Sequence, residues 1–304
     1  MELRQVRYVA AVARHLHFTR AAGELGLAQP ALSQQVRALE RELGVELFDR
    51  TGRRVRLTEA GAAFVVWAER ILADVAAAEA EMAEFAGLRR GRVVVGATPV
   101  HAVGRVDLPG LLADFHVRHP GIEVALREAT TDDLVGDLLL GRIDVAVGAL
   151  IGGAVPAGIS AHPLYAEDLV VMTAPGHPLA ARSRVSVADL AAEALVLSTP
   201  GSPIRRAVMA AADAAGVSVR VAFEASEPAL VRSLAARGLA VAVAPRSLAD
   251  EPGDPVAILP LDGLPGRTVA LLWAAERPRP AASRAFLAFA RGWAGNRATA
   301  GGAP

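Results

Sequence analysis

Gln29, Ser33, Gln34 and Arg37 place two carboxamides, a hydroxyl and a guanidinium within nine residues, and no carboxylate joins them before Glu40. Their spacing puts them on one face of a helix, opposite the apolar Leu32, Val36, Leu39 and Leu43. A glutamine side chain suits the paired donor and acceptor of an adenine edge, and an arginine suits guanine or phosphate. An ordinary solvated face would mix Glu with Arg. A face without acid suits a polyanion, so the expected chemistry is hydrogen bonding to base edges and phosphates in a DNA groove.

A second group of side chains stands where strands give way to helices. Thr98 and Pro99 follow one apolar run and are expected to open a helix. Thr130 and Thr131 precede Asp132 and Asp133, and Gly201-Ser202 precedes "PIRRAVM". Helix capping alone accounts for Thr131 and Ser202. The sharper expectation is that these hydroxyls and the free N–H groups beside them bind a carboxylate or another small polar ligand.

Other chemistry is poorly served. There is no cysteine, which removes disulfides, thiolate nucleophiles, Cys-ligated zinc and thiol redox switching. His15 with His17, and His116 with His119, lack a third ligand nearby, so no metal and no cofactor is expected. His177 in "GHPL" reads as a turn residue. "VVVGATPV" lacks the glycine pattern of a dinucleotide turn, and neither a nucleophile elbow nor a P-loop occurs, so an enzyme is not expected.

The elements that must position these groups can be read along the chain. Leu3, Val6, Val9, Ala10 and Ala13 predict a helix over residues 3–16. Thr19 is expected to cap a short second helix that ends at Gly26, and Pro30 to open a third that ends at Gly44. This is a helix-turn-helix arrangement. "VELFDRTGRRVRLTEAG" then predicts a two-stranded wing turning at Thr51-Gly52, and Thr58 a cap for the next helix. Residues 1–56 hold ten Arg against six acids, with Arg50, Arg53, Arg54 and Arg56 gathered at the wing. The whole chain balances 32 basic against 32 acidic residues, so the basic excess is local.

The helix after Thr58 carries Phe64, Ala68, Ile71, Val75, Ala78, Met82 and Phe85 in strict 4,3,4,3 alternation. A 3.5-residue period predicts pairing with a second helix, and no other such stripe exists in the chain, so the expected partner is a second copy. Beyond "GLRRGR", apolar runs such as "VVVGAT", "RIDVAVGAL" and "LAVAVAP" alternate with helical segments, which predicts a mostly parallel α/β sheet. "TAPGHPLA" looks suited to a hinge, and the small, polar end of the chain to disorder. No apolar run is long enough to span a membrane, and "MELRQVRYVA" lacks the apolar core of a secretory signal, so a cytoplasmic protein is expected.

"FTRAAGELGLAQPALSQQVRALERELGVELFDRTGRRVRLTEAG" resembles the N-terminal region of the LysR-type transcriptional regulators, and "HPGIEV", "GRIDVAVG", "GHPLA", "PGSPIRR" and "AARGLAVAVAPRS" continue the resemblance in order. It implies a winged helix-turn-helix over 1–58 and a linker and dimerisation helix over 59–89. It also implies a periplasmic-binding-protein-like (type 2) α/β effector domain of two lobes, 92–162 with 266–295 and 163–265, ahead of a tail at 296–304. In that fold "TVALLWA" and "SRAFLAFARGWA" rejoin the first lobe. The resemblance further implies sequence-specific binding to an interrupted inverted repeat in double-stranded DNA, a homotetramer, a small-molecule effector between the lobes, and RNA polymerase as a further partner. Carried onto this sequence, the DNA-binding set is Thr19, Arg20, Gln29, Pro30, Ser33, Gln34, Arg37, Arg50, Arg53 and Arg54. The effector-binding set is Thr98, Pro99, Thr130, Thr131, Gly148, Ser202, Phe223 and Ser226. Val100 stands where many members carry a second hydroxyl, which implies a ligand less polar than a diacid. A binding protein without DNA specificity would share the second half of the chain but have no use for the first 90 residues.

Overall fold

The computed structural model describes the chain apart from residues 52–53, 86–90, 100–104 and 301–304, and apart from the side chains of 80, 83–85 and 294–300. Arg53, Val100 and the side chain of Phe85 therefore lie outside the described residues. The chain divides into two compact units, residues 1–91 with 139–142 and 278–281, and the remainder.

In the first unit, α1 (Leu3–His15), α2 (Phe18–Leu25) and α3 (Gln29–Leu43) enclose a core of Val9, Val12, Phe18, Ala21, Leu32, Val36 and Leu39. Leu47 and Phe48 close it from the wing, β1 (Phe48–Asp49) paired antiparallel with β2 (Arg56–Leu57). Gly26 and Gly44 end α2 and α3 at φ of 66° and 72°, a conformation that costs a glycine no clash with Cβ. Thr19 is not the cap of α2. The helix starts two residues earlier than a Thr19 cap requires, because the Phe18 ring enters the core and His17 takes the cap position, its Nδ1 accepting from the Arg20 N–H at 3.5 Å. Thr58 does cap α4 (Glu59–Phe85), accepting from the Gly61 N–H at 2.9 Å.

The second unit holds two sheets. The first opens with β3 (Gly91–Ala97), α5 (Leu108–Arg118), β4 (Ile122–Glu128), α6 (Thr131–Leu140), β5 (Val145–Ile151) and β6 (Ile159–Glu167). The chain then builds the other sheet from β7 (Leu169–Thr173), β8 (Val185–Ser186), β9 (Ala194–Leu197), α7 (Pro203–Ala214), β10 (Arg220–Glu224), α8 (Pro228–Ala236), β11 (Val241–Pro245), α9 (Arg246–Ala249) and β12 (Ala257–Asp262). It returns as β13 (Arg267–Ala274) and α10 (Ala281–Ala300). The strand orders are β4-β3-β5-β13-β6 and β10-β9-β11-β7-β12-β8. Phe286, Leu287 and Ala290 of α10 pack with Val93, Val95, Phe115 and Leu271 in the core of the five-stranded sheet.

Several expectations change. The sheets are mixed rather than mostly parallel. β3 and β5 run parallel, as do β9, β10 and β11, but β13 is antiparallel to β5 and β6, and β7 is antiparallel to β11 and β12, because the chain crosses between the sheets twice. The crossing lies at Asp168, not between 162 and 163, because β6 continues to Glu167. Pro163 in "ISAHPLYAE" conceals that strand in the sequence, and it is accommodated near a shift in the β6 and β13 register. "TAPGHPLA" is not the hinge: it follows β7 within the six-stranded sheet, where His177 Nδ1 accepts from the Leu179 N–H. Helical backbone reaches Ala300, into the segment expected to be disordered, where Ala and Arg are good helix formers.

Asp144 begins the turn into β5, with one carboxylate oxygen accepting from the Val94 N–H at 2.7 Å. Burial, opposed by that bond and by Arg277 and Arg92, raises its carboxyl above the ordinary 3.8. A raised folded value means the contribution to stability is full below the unfolded value and lost as pH rises through the folded one. Asp144→Asn should therefore melt higher than the parent at pH 7 and equal it near pH 3. A lower melting temperature at pH 7 would show that the charge is needed.

Candidate functional site

α3 is held by its apolar face, with Leu32, Val36 and Leu39 fully buried, so Gln29, Pro30, Gln34 and Arg37 are left exposed and Ser33 half-buried. Its first turn has no side-chain cap, because Ala28 occupies the cap position, and no acid. The first N–H groups of such a helix and its dipole suit a phosphate. A groove runs between this face and the wing, lined by Gln29, Ser33, Gln34, Arg37, Arg41 and Arg50 among others. Arg41 was not foreseen, although its place one turn after Arg37 is the signal that could have found it. Its Nε donates to the Arg37 main-chain oxygen at 3.4 Å.

Arg50 is more than a surface cation. Its Nη2 donates to Glu40 Oε2 at 2.7 Å and its guanidinium lies 4.9 Å from the centre of the Phe18 ring. The other oxygen of Glu40 accepts from the Leu47 and Phe48 N–H groups at 3.0 and 3.2 Å. Glu40, buried near the end of α3, thus ties the helix to the wing. Arg54 and Arg56 are exposed at the wing, and Thr19 and Arg20 in the first turn of α2.

On α4, Phe64 packs into the core of the first unit and Ala68 is fully buried. Ile71 and Val75 are half-buried, and Ala78 and Met82 are exposed. The first members of the stripe are thus used within the chain itself. Val66 and Trp67 are exposed off the stripe, with the Arg70 guanidinium 4.9 Å from the Trp67 ring centre.

In the second unit a cavity of about 170 Å³ lies between the two sheets. Thr98, Pro99, Thr130, Thr131, Ser202 and Ser226 line it, joined by Ser198, Thr199 and Arg267, which sequence reasoning missed. Ser198-Thr199 follows β9, where the rule for ligands at the carboxyl ends of sheet strands would have found it. Thr130, not Thr131, caps α6: its hydroxyl accepts from the Asp133 N–H at 3.3 Å. Thr131 instead exchanges hydrogen bonds with the backbone of Ala149 in β5. Ser202 holds the cap position of α7 without a side-chain cap bond. Thr98 opens no helix among the described residues, since α5 begins at Leu108 with Asp107 as its cap. Its hydroxyl is buried without a hydrogen-bond partner.

Two expected contacts do not line the cavity. Gly148 lies behind Thr131, where a Cβ would meet Leu272 and Thr131 at 3.0 and 3.3 Å, so the glycine serves close packing. Phe223 alternates inward on β10 and packs with the cluster around Val196 and Ala225.

Arg267 is 2% exposed and donates through Nε to Glu167 Oε1 at 2.7 Å. Glu167 also accepts from the Ser247 N–H at 2.6 Å. Glu167 ends the strand that leaves the five-stranded sheet and Arg267 begins the one that returns, so this pair fastens the two crossings together. Arg206 of α7 also reaches across to Asp132 of α6, with Nη2 and Oδ1 3.1 Å apart. Both side chains of that pair are about half exposed, so it contributes at most about 1 kcal/mol. Of the two links, only the Glu167–Arg267 pair is buried.

His15 pairs with Glu24, and His119 stacks on Phe115 with ring centres 4.7 Å apart. No cluster of three metal-ligating side chains occurs among the described residues, and no helix among them is long and apolar enough to cross a membrane.

Residues 3–62 match the family model described as the bacterial regulatory helix-turn-helix protein, lysR family, and residues 86–295 match the LysR substrate binding domain. The chain belongs to the LysR family. It is a transcriptional regulator with a DNA-binding helix-turn-helix and an effector-binding domain. Among its LysR relatives, a hydrogen peroxide-inducible genes activator of Pectobacterium carotovorum subsp. carotovorum is 33% identical, over 91% of this chain and 92% of that protein. A RuBisCO operon transcriptional regulator of Allochromatium vinosum is 34% identical over 80% and 79%. A full-length OxyR variant from Pseudomonas aeruginosa aligns with a TM-score of 0.67 at 30% identity, covering 96% of this chain and 95% of its own. The LysR regulator CbnR, in complex with its target DNA, aligns at 0.60 and 27%, covering 96% and 99%.

Proposed function

We propose that this regulator binds an interrupted inverted repeat as a homodimer or homotetramer in the cytoplasm, and that a small molecule in the cavity between the lobes alters its hold on DNA. The observation that carries the reading is the uncapped, acid-free start of α3 beside the exposed Gln29, Gln34 and Arg37. We assign residues 1–58 to DNA binding and 59–89 to dimerisation, with the effector domain divided at Asp168 and at 266. Gln29, Pro30, Ser33, Gln34 and Arg37 would meet the bases and nearby phosphates. Thr19, Arg20, Arg53 and Arg54 would meet phosphates, and Arg50 would both shape the wing and face the groove. RNA polymerase is a further partner of this reading.

The reading contains no catalytic step and no cofactor. Among the described residues lining the cavity there is no His, Asp or Glu to act as a base for the serines and threonines. The peroxide response named for some relatives is not carried over, because this chain has no cysteine to form a sulfenate or disulfide.

Dimerisation is assigned to Ile71, Val75, Ala78, Met82 and Phe85, with Phe64 and Ala68 anchoring the helix to its own domain. Ile71→Asp combined with Val75→Asp should shift the sedimenting species to a monomer, and should reduce affinity for a two-half-site DNA to that for a single half-site. A doubly substituted protein that sediments as the parent does would place the interface elsewhere.

A further inference from the structure

We propose that Glu40 is a positioning residue for DNA reading. Through Arg50 and the Leu47 and Phe48 N–H groups it holds the wing against α3 at the angle from which both elements meet the duplex, and Arg50 is engaged in this bracket rather than with a phosphate. The proposal rests on the reading of the wing as a phosphate-binding element and goes beyond it.

Glu40 stands where an acid is unexpected. It lines the groove between α3 and the wing together with Gln29, Gln34 and Arg37, and a carboxylate that faces a polyanion opposes binding by charge alone. Burying that carboxylate adds a further cost unless its oxygens are paired. Here the side chain is 9% exposed and both oxygens are engaged, Oε1 by the Leu47 and Phe48 N–H groups at 3.0 and 3.2 Å, and Oε2 by Arg50 Nη2 at 2.7 Å. The charge of this acid is balanced within the protein, and its geometry is fixed by three donors.

The wing needs that fixing. β1 and β2 are joined through two residue pairs, Phe48 with Leu57 and Asp49 with Arg56, too short a ribbon to keep an orientation of its own. At its root Leu47 and Phe48 enter the core, and the Thr58 hydroxyl donates to the Glu46 main-chain oxygen at 2.6 Å. Arg50 lies beyond the outer of the two pairs, so of the described bonds from the wing to the helices its bond to Glu40 is the nearest to the tip. Its guanidinium also covers the Phe18 ring, which meets Phe48 edge-on with ring centres 5.8 Å apart. α2, α3 and the wing, the three elements assigned to DNA, therefore converge on one ion pair. Arg54, exposed further along the wing, goes where this bracket aims it.

The test is equilibrium binding, salt titration and hydroxyl-radical footprinting of the full chain on the DNA site it selects from a random library. By charge alone Glu40→Gln should bind more tightly than the parent, because it removes an acid from the groove. The bracket predicts the reverse: a loss of about tenfold or more, and a salt slope reduced by about one unit although no cation has been removed. The protection flanking each half-site should disappear while that under α3 stays. Arg50→Met should reproduce all of these changes, and the two substitutions together should lose no more than either alone. The double variant leaves no buried charge unpaired and keeps a carbonyl oxygen for the Leu47 and Phe48 N–H groups, so the same readings on it decide the matter where a single variant does not fold. Binding as tight as the parent's, a loss that keeps the parent's slope and footprint, or losses that add in the double variant would each overturn the proposal and leave the DNA reading standing. A parent that does not prefer the selected site over shuffled DNA would bring down the DNA reading and the proposal together.

Discussion

Arg37→Ala is expected to fold as the parent does and to lose about 5- to 150-fold in affinity for its operator, the equivalent of about 1–3 kcal/mol, with little change on shuffled DNA. Folding is spared because Arg37 is exposed and Arg41 bonds to the Arg37 main-chain oxygen, which alanine retains. Alanine is also the best helix former. The loss should be selective because Arg37 lies on the face of α3 that begins with Gln29 and borders the groove toward the wing. Arg54→Ala supplies the contrast. An exposed wing arginine that meets only phosphate should weaken operator and shuffled DNA alike and reduce the salt slope by about one unit. Equal losses on both DNAs for Arg37→Ala would move that side chain to the phosphate class.

Arg267→Met should destabilise the effector domain by about 3–5 kcal/mol, a large share of the roughly 5–15 kcal/mol typical of a folded domain. The size follows from burial. Removing the guanidinium leaves the 4% exposed Glu167 side chain with a buried charge held only by neutral donors, the Ser247 N–H and hydroxyl and the Tyr165 hydroxyl. The double variant Glu167→Leu with Arg267→Met should recover part of that loss, because two apolar side chains of similar volume often replace a buried pair without cost. Denaturant unfolding of the three variants reads the coupling directly. A loss below about 1 kcal/mol in Arg267→Met would show that the pair does not brace the crossings. The contrast with Asp132 and Arg206, which also join α6 to α7 but stand half in water, explains why only one of these two pairs carries so large an expectation.

The legible parts of this chain are those whose cause is local. The stops at Gly26 and Gly44, the proline in the first turn of α3 and the Thr58 cap are each set by one or two residues. The apolar face of α3 fixes which side chains remain outside. What stayed hidden depends on residues far apart in sequence. Glu40 reads as one more surface acid until the wing returns Leu47, Phe48 and Arg50 to it. Glu167 and Arg267, one hundred residues apart, meet only because the chain crosses between the sheets twice. Thr130 and Thr131 show the limit most finely. Either could cap α6 by sequence, and the strand at Ala149 decides between them by claiming the hydroxyl of Thr131. The resemblance puts Gly148 in the effector-binding set, but Leu272 and Thr131 close beside it make it a packing position. β6 went unseen because a proline interrupts it, and a bulge that no pattern announces makes the proline tolerable.

The measurement that tests the central claim most directly is a pair of equilibrium titrations at about 150 mM salt. The full-length protein is added to the DNA site it selects from a random library and to a shuffled duplex of equal length and composition. A regulator that reads bases through Gln29, Ser33, Gln34 and Arg37 should prefer the selected site by at least about a thousandfold. The selected site should contain two half-sites related by a two-fold axis. Equal affinity for the two duplexes, falling together as salt rises, would mean that the polar face of α3 meets only phosphates, and would contradict the account.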